Sequence, residues 1–222
     1  MSMFDPDITQ STDRLARFRF LWLRQQPNLP DGSEAVYQQL LEAYNEPHRV
    51  YHSLSHIENC LKIFDQVSQL MDNPDSVELA IWFHDVIYTV GNSDNERLSA
   101  EFFMTLTDGL FNNKFRNNVY EKIMATCHDC SPISNTDTKL MVDIDLSSFG
   151  LPWTDFLNDS EKVRAEMAHI PDVEYYQKQK RFQLSLLSQS SFYNSDYFKE
   201  HYEYQARSNL AHFFKLMKSD TL

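Results

Sequence analysis

The chain has 222 residues, of which 42% are hydrophobic and 14% aromatic, and it contains only 4 Gly. This composition excludes whole-chain disorder, and the scarcity of Gly disfavours the tight turns of hairpins, so helices joined by polar loops are expected. The formal net charge of −12 argues against a broad surface for nucleic-acid polymers or anionic membranes. A small phosphorylated ligand remains compatible with that charge if a metal or a few basic groups neutralise it.

Localisation and domain organisation are read from the same sequence. No apolar stretch approaches the roughly 20 residues that a bilayer span requires, and residues 1–10 lack the pattern of a secretory signal. An odd number of cysteines, 3, does not suit a disulfide framework and favours a reducing cytoplasm. With no repeat or linker, residues 1–222 are expected to form a single domain, whose oligomeric state stays open.

Apolar residues recur with a period near 3.6 along almost the whole chain, which predicts an all-α fold. The expected helices cover about residues 11–26, 33–46, 55–71, 74–90, 93–106, 116–128, 136–149, part of 153–170, 173–189 and 197–218. Capping boxes, Ser55–Glu58 and Ser93–Glu96, are expected to begin the third and fifth helices. The fourth helix is apolar on nearly every side, which places it at the centre of a bundle.

Two polar residues interrupt that fourth helix. His84 and Asp85 lie side by side among apolar residues, where an ionised carboxylate is costly unless something compensates its charge. An imidazole beside a carboxylate suits divalent ions such as Zn, Mn, Fe, Ni, Co or Mg. Because adjacent helical residues point about 100° apart, further ligands must come from neighbouring helices.

Other histidines and acids can complete a metal site. His52 and His56 lie where the third helix begins, and Asp143 and Asp145 are set into another apolar stretch. Two histidines and two carboxylates leave coordination positions open for water, as in catalytic metal sites. An ion in such a site lowers the pKa of a bound water towards neutrality.

The order His, His-Asp, Asp resembles the signature of the HD superfamily of metal-dependent phosphohydrolases. The sequence is similar, over about residues 12–216, to a bacterial branch described as predicted metal-dependent phosphohydrolases of that superfamily. The blocks that carry the resemblance are Pro47–His52, Ala80–Tyr88, Asp94–Ala100, Val142–Leu146 and Ala206–Leu210.

The resemblance implies an HD-domain helical bundle with a buried divalent metal between helices. It implies His56, His84, Asp85 and Asp145 as the ligands. His56 is preferred to His52 because the family's first histidine opens the helix. Asp145 is preferred to Asp143 because the family's last ligand is the second acid of such a pair, but the choice between the two acids stays open.

The implied activity is hydrolysis of a phosphomonoester or phosphodiester in a nucleotide or another small phosphorylated metabolite. Asp85 would orient the attacking water, and His128, Glu96 or His52 would assist proton transfer. Glu96 has an alternative interpretation as the partner in a capping box.

Two arginines near the metal blocks, Arg49 and Arg97, are expected to hold the phosphate through charge-assisted bonds. Neither a nucleic-acid polymer nor a membrane is expected as a partner. The alternative function is a metal-containing regulatory module that binds a nucleotide or phosphate without turnover.

Overall fold

The structure is a computed structural model that describes residues 6–128 and 133–219, with side chains described over 13–128 and 133–216. Over these ranges the protein has helices and no strand, so the all-α prediction is confirmed. None of the helices in the described ranges is both long and apolar enough to cross a membrane.

The α-helices are α1 (Pro6–Gln25), α2 (Ser33–Tyr44), α3 (Leu54–Val67), α4 (Pro74–Phe83), α5 (Asn95–Leu106), α6 (Asn113–Ala125), α7 (Thr136–Asp145), α8 (Trp153–Glu166), α9 (Asp172–Leu187), α10 (Asp196–His201) and α11 (Glu203–Ser219). Two short 3₁₀ helices, Ser68–Leu70 and Leu146–Gly150, extend α3 and α7. The segment expected to be one helix over 136–149 is therefore an α-helix followed by a tighter turn.

Helix α4 lies at the centre of the bundle, as its composition predicts. It contacts α3, α5, α6 and α7, and every residue from Ser76 to Phe83 is buried. Its start is well defined, because the Asn73 side chain accepts a hydrogen bond from the Ser76 amide and Pro74 fills the first helical position.

The predicted end of this helix near Val90 is wrong, because α4 ends at Phe83. Beyond that point the backbone finds partners outside the helix. The Arg49 guanidinium donates to the carbonyl oxygens of Asp85 at 2.5 Å and Val86 at 3.0 Å. These carbonyls need no helical partner, so the chain can turn away.

Neither predicted capping box forms. Helix α3 begins after Ser53 and α5 after Asp94, and neither of these N-cap side chains accepts a hydrogen bond from the first turn. The Asn95 side chain instead bonds both the N–H and the carbonyl of Thr89, at 2.9 and 3.0 Å. This pair of bonds closes the loop between α4 and α5.

The central position of α4 makes a prediction about stability. Leu79 is fully buried in α4, whereas Leu184 in α9 is 46% exposed. Leu79→Ala is expected to lower the free energy of unfolding by about 2–5 kcal/mol, because it leaves a cavity in the core. Leu184→Ala should change it by no more than about 0.5 kcal/mol. Denaturant unfolding of both variants measures this, and similar losses would contradict the central placement of α4.

Candidate metal centre

Three side chains from the ends of three helices converge. His56 lies in the first turn of α3, His84 directly follows α4, and Asp145 is the last residue of α7. The Nε2 atom of His56 lies 3.2 Å from Nε2 of His84 and 3.2 Å from Oδ1 of Asp145, and His84 Nε2 lies 3.4 Å from the same oxygen. The three groups could hold a metal ion.

The size of this triangle tests whether an ion fits. Ligands at about 2.1 Å from an ion lie about 3.0 Å apart in an octahedral site and about 3.4 Å apart in a tetrahedral one. The observed edges of 3.2, 3.2 and 3.4 Å lie within or at the limit of that range. Three ligands on one face also leave coordination positions for other groups.

Asp85 lies beside the triangle. Its Oδ2 atom is 3.1 Å from Nε2 of His84 and 3.8 Å from Nε2 of His56. Burial alone would raise the pKa of Asp85, but the adjacent imidazoles, His84 above all, hold it below its ordinary value. The structure thus brings together all four residues that the resemblance implies as ligands.

The orientation of the His84 ring is set from outside the triangle. Its Nδ1 atom lies 2.9 Å from the carbonyl oxygen of Ile81, which can only accept a hydrogen bond. In the neutral ring the proton therefore sits on Nδ1, and the lone pair of Nε2 faces His56 and Asp145. This is the tautomer that a metal ligand requires.

The Asp85 and Asp145 carboxylates favour a positive charge where these groups meet. Burial acts to lower the pKa of His84, but the two carboxylates raise this pKa well above its ordinary value. In the metal-free protein a proton on His84 therefore supplies the positive charge. Because the same lone pair accepts either a proton or a metal ion, metal binding would release the proton.

The structure also separates the two acids of the Asp143 and Asp145 pair. Asp143 is fully buried, and its carboxylate accepts four hydrogen bonds of 2.6–3.0 Å from the backbone and side chains of Asn194 and Ser195. Its oxygens are therefore committed to holding the start of α10. Asp145, and not Asp143, reaches the histidines.

His128 follows α6 and contacts the site through Asp145. Its Nε2–H donates to Oδ2 of Asp145 at 2.9 Å, leaving Oδ1 to face His56 and His84. The His128 backbone has a φ of 53°, an uncommon conformation for a residue other than Gly. Its position fits a role in orienting the Asp145 carboxylate.

His52 is held by Glu166, the last residue of α8. One oxygen of this carboxylate accepts hydrogen bonds from the amides of Val50, Tyr51 and His52 at 2.7–2.8 Å. The other accepts from the Tyr88 hydroxyl at 2.8 Å and from Nδ1 of His52 at 2.6 Å. The Glu166 side chain is therefore the anchor of the segment that leads into α3.

Sequence reasoning missed this anchor. Glu166 and His169 have the spacing of a carboxylate-bridged metal pair, which is attributable to chance when only one copy exists. His169 is exposed, so the pair does not form a site. A lone acid at a helix end carries no pattern that reveals its partners more than 100 residues earlier in the chain.

The two arginines predicted to hold phosphate lie elsewhere. The Arg49 side chain is 1% exposed, and its donors are taken by the backbone carbonyls described above and by Glu46. Arg97 points to the surface, where it pairs with Asp94 and Glu101 at 2.9 and 2.8 Å. Neither arginine lines a cavity beside Asp145, so their positions do not support the predicted role.

A cavity of about 420 Å³ opens beside Asp145. His52, Glu96 and His128, the residues predicted to transfer protons, all line it. Burial, together with the nearby Asp85 and Asp145 carboxylates, raises the pKa of Glu96. Glu96 is the second residue of α5 and forms no capping box, so its carboxyl group is available to the cavity.

A second cavity of about 410 Å³ also borders Asp145. It is lined by His56 and Asp145 and carries two basic residues, Lys62 and Lys162. Tyr51 lines both cavities, and so does the residue that it bonds, Ser148. Their hydroxyl groups are joined by a hydrogen bond 3.1 Å long.

Comparisons with models of protein families, with curated proteins and with solved structures found no match to this chain. The resemblance to the HD superfamily therefore rests on the residues and motifs themselves.

The Glu166 anchor makes a prediction about pH. Burial opposes ionisation, but the bonds from His52 and Tyr88 lower the pKa of Glu166 from its ordinary 4.5 to about 2. The ionised side chain therefore stabilises the folded state above pH 4.5, by at most about 3 kcal/mol, and this contribution is lost as the pH falls from 4.5 towards 2.

Glu166→Gln should remove that contribution. The free energy of unfolding is expected to be lower for Glu166→Gln than for the unmodified protein at pH 7, and the difference should shrink as the pH is lowered through 4. Urea unfolding at a series of pH values measures it. Glu161→Gln, at an exposed position on the same helix, is the control. A difference that does not change with pH would contradict the role of the charge.

Proposed function

We propose that the protein is a metal-dependent phosphohydrolase of the HD superfamily type that acts on a nucleotide or another small phosphorylated metabolite. One observation carries the proposal: His56, His84 and Asp145 form a triangle of the right size for an ion, beside a cavity lined by proton-transfer groups. The resemblance of the sequence supplies the reaction type. The metal is a divalent ion of the Mn, Mg, Zn, Ni, Co or Fe group.

The chain and the ion have different tasks in this proposal. A bound divalent ion supplies charge neutralisation for a phosphate oxygen and a lower pKa for a water. The chain holds the ligands in place, since His128 and the Ile81 carbonyl fix the orientations of Asp145 and His84. Such positioning and charge stabilisation are the main sources of acceleration in phosphoryl transfer.

Proton transfer falls to side chains in the cavity. Asp85, beside the triangle, is placed to accept a proton from an attacking water. Glu96, whose raised pKa keeps it protonated to higher pH, is placed to donate one to the leaving oxygen, and His52 lines the same cavity. Cleavage of the phosphoester then forms phosphate and an alcohol.

Replacement of each acid by its amide tests the ligand set. Asp145→Asn is expected to weaken Mn²⁺ or Zn²⁺ binding by at least about tenfold, because it removes a charged ligand. Asp143→Asn should leave metal affinity within about twofold and instead lower the free energy of unfolding by about 1–3 kcal/mol. Isothermal titration and denaturant unfolding measure the two effects. Equal losses of affinity in both variants would count against Asp145 as the ligand.

Turnover is tested with nucleotides and phosphoesters in the presence of Mn²⁺, Mg²⁺, Zn²⁺, Ni²⁺, Co²⁺ or Fe²⁺. Hydrolysis by the metal-loaded protein is expected, and His84→Ala should abolish it because Nε2 of His84 is a ligand. His169→Ala, at an exposed histidine, should retain it. Tight nucleotide binding without hydrolysis would instead favour a regulatory binding module. Protein that takes up no metal would refute both functions.

A further inference from the structure

The cavity beside Asp145 is lined by several aromatic rings, and we name it the aromatic chamber. Its aromatic lining residues include Tyr51, Tyr88, Phe149, Phe156, Tyr175 and Phe182. Within the described part of the chain, no Lys or Arg lines it, while Glu96, Asp145 and Asp159 do. The chamber therefore offers apolar contact, and among the described residues it presents no lysine or arginine to a ligand.

This lining restricts the charge of a ligand. A phosphoryl group next to the His56, His84 and Asp145 triangle can be neutralised by a metal ion there. A second or third phosphate would bring further negative charge into the chamber, where no arginine or lysine of the described chain is present to compensate it. Buried charge that is not compensated is costly. An uncharged ring, in contrast, can stack on the aromatic walls.

The position of the proton-transfer groups assigns the leaving group to the same chamber. His52, Glu96 and His128 line the aromatic chamber and do not line the second cavity. In the second cavity, Lys162 pairs with Asp159 at 2.9 Å and Lys62 donates to Asn59 at 3.3 Å. The leaving oxygen needs a proton, so the organic group that carries it belongs on the side of Glu96 and His52.

We propose that the substrate is a phosphomonoester whose single phosphoryl group is joined to an uncharged organic group that bears an aromatic ring, and that this aromatic ring lies in the aromatic chamber. This inference rests on the proposed function. In the reaction, a bond forms between phosphorus and the oxygen of water, and the bond from phosphorus to the leaving oxygen breaks. One proton of the water is lost to the protein, and the leaving oxygen takes up one proton. Polyphosphates are poor substrates.

The test compares AMP, ATP and ribose 5-phosphate as probes with the full, Mn²⁺-loaded protein. AMP and ATP share a ring but differ in phosphates, and ribose 5-phosphate lacks the base. We expect kcat/KM for AMP to exceed that for each of the other two by at least about tenfold. Turnover of ATP equal to that of AMP would overturn the inference while leaving the proposed function intact. No turnover of any probe would overturn both.

Two pairs of variants test the chamber itself. Phe182→Leu should raise KM for AMP several-fold and leave kcat/KM for ribose 5-phosphate within about twofold. Phe20→Leu, at a ring that is 67% exposed on α1, is the control. Equal effects of Phe182→Leu on both probes would show that the base does not lie against this wall.

The second pair adds a charge. Gln179 lines the chamber and Gln177 is exposed on the same helix. Gln179→Lys is expected to narrow the preference for AMP over ATP at least about threefold, whereas Gln177→Lys should not change it. Lys62→Ala, which removes a basic group that lines only the second cavity, should also leave that preference unchanged. A loss of ATP turnover in Lys62→Ala would place a phosphate chain in the second cavity and overturn the inference.

Discussion

The site depends on how the protein satisfies its backbone where helices end. The candidate ligands lie at the start of α3 and at the ends of α4 and α7, where amides or carbonyls lack helical partners. Two buried charged side chains supply the missing hydrogen-bond partners. Arg49 donates to the carbonyls of Asp85 and Val86, and Glu166 accepts hydrogen bonds from the amides before α3. A buried charge is tolerated when it is fully hydrogen-bonded, and here it fixes the two segments that carry the ligands.

The two charges are joined through Tyr88. Its hydroxyl donates to Glu166 at 2.8 Å, its ring centroid lies 5.4 Å from the Arg49 guanidinium carbon, and its ring stacks on His52 at 4.2 Å between centroids. The segment after α4 is thereby tied to the segment before α3. The distance between the imidazoles of His56 and His84 thus depends mainly on the segments before α3 and after α4, and less on the interiors of these helices.

Sequence patterns revealed the centre of the fold and the residues that converge in the candidate metal centre, because a helix that is apolar on all sides and polar residues within it are local signals. They did not reveal where α4 ends, since Arg49, which binds the carbonyl of Asp85 just beyond the helix, lies 36 residues earlier. Periodicity likewise could not distinguish Asp143 from Asp145, whose partners lie in distant segments. No sequence pattern indicated the role of Glu166, because this role depends on backbone amides that only the fold brings close to its carboxylate.

The chemistry of the site depends on which charged side chains are not already occupied by these structural hydrogen bonds and ion pairs. Arg49 is occupied by carbonyls and Arg97 by surface acids, so neither supplies positive charge to the aromatic chamber. Its carboxylates and the net charge of −12 make the chamber unfavourable to a phosphate by itself. A divalent metal ion on His56, His84 and Asp145 would offset the negative charge of the Asp85 and Asp145 carboxylates. In such a site the ion that promotes the reaction is also the group that admits the anion, so metal affinity and substrate affinity are coupled.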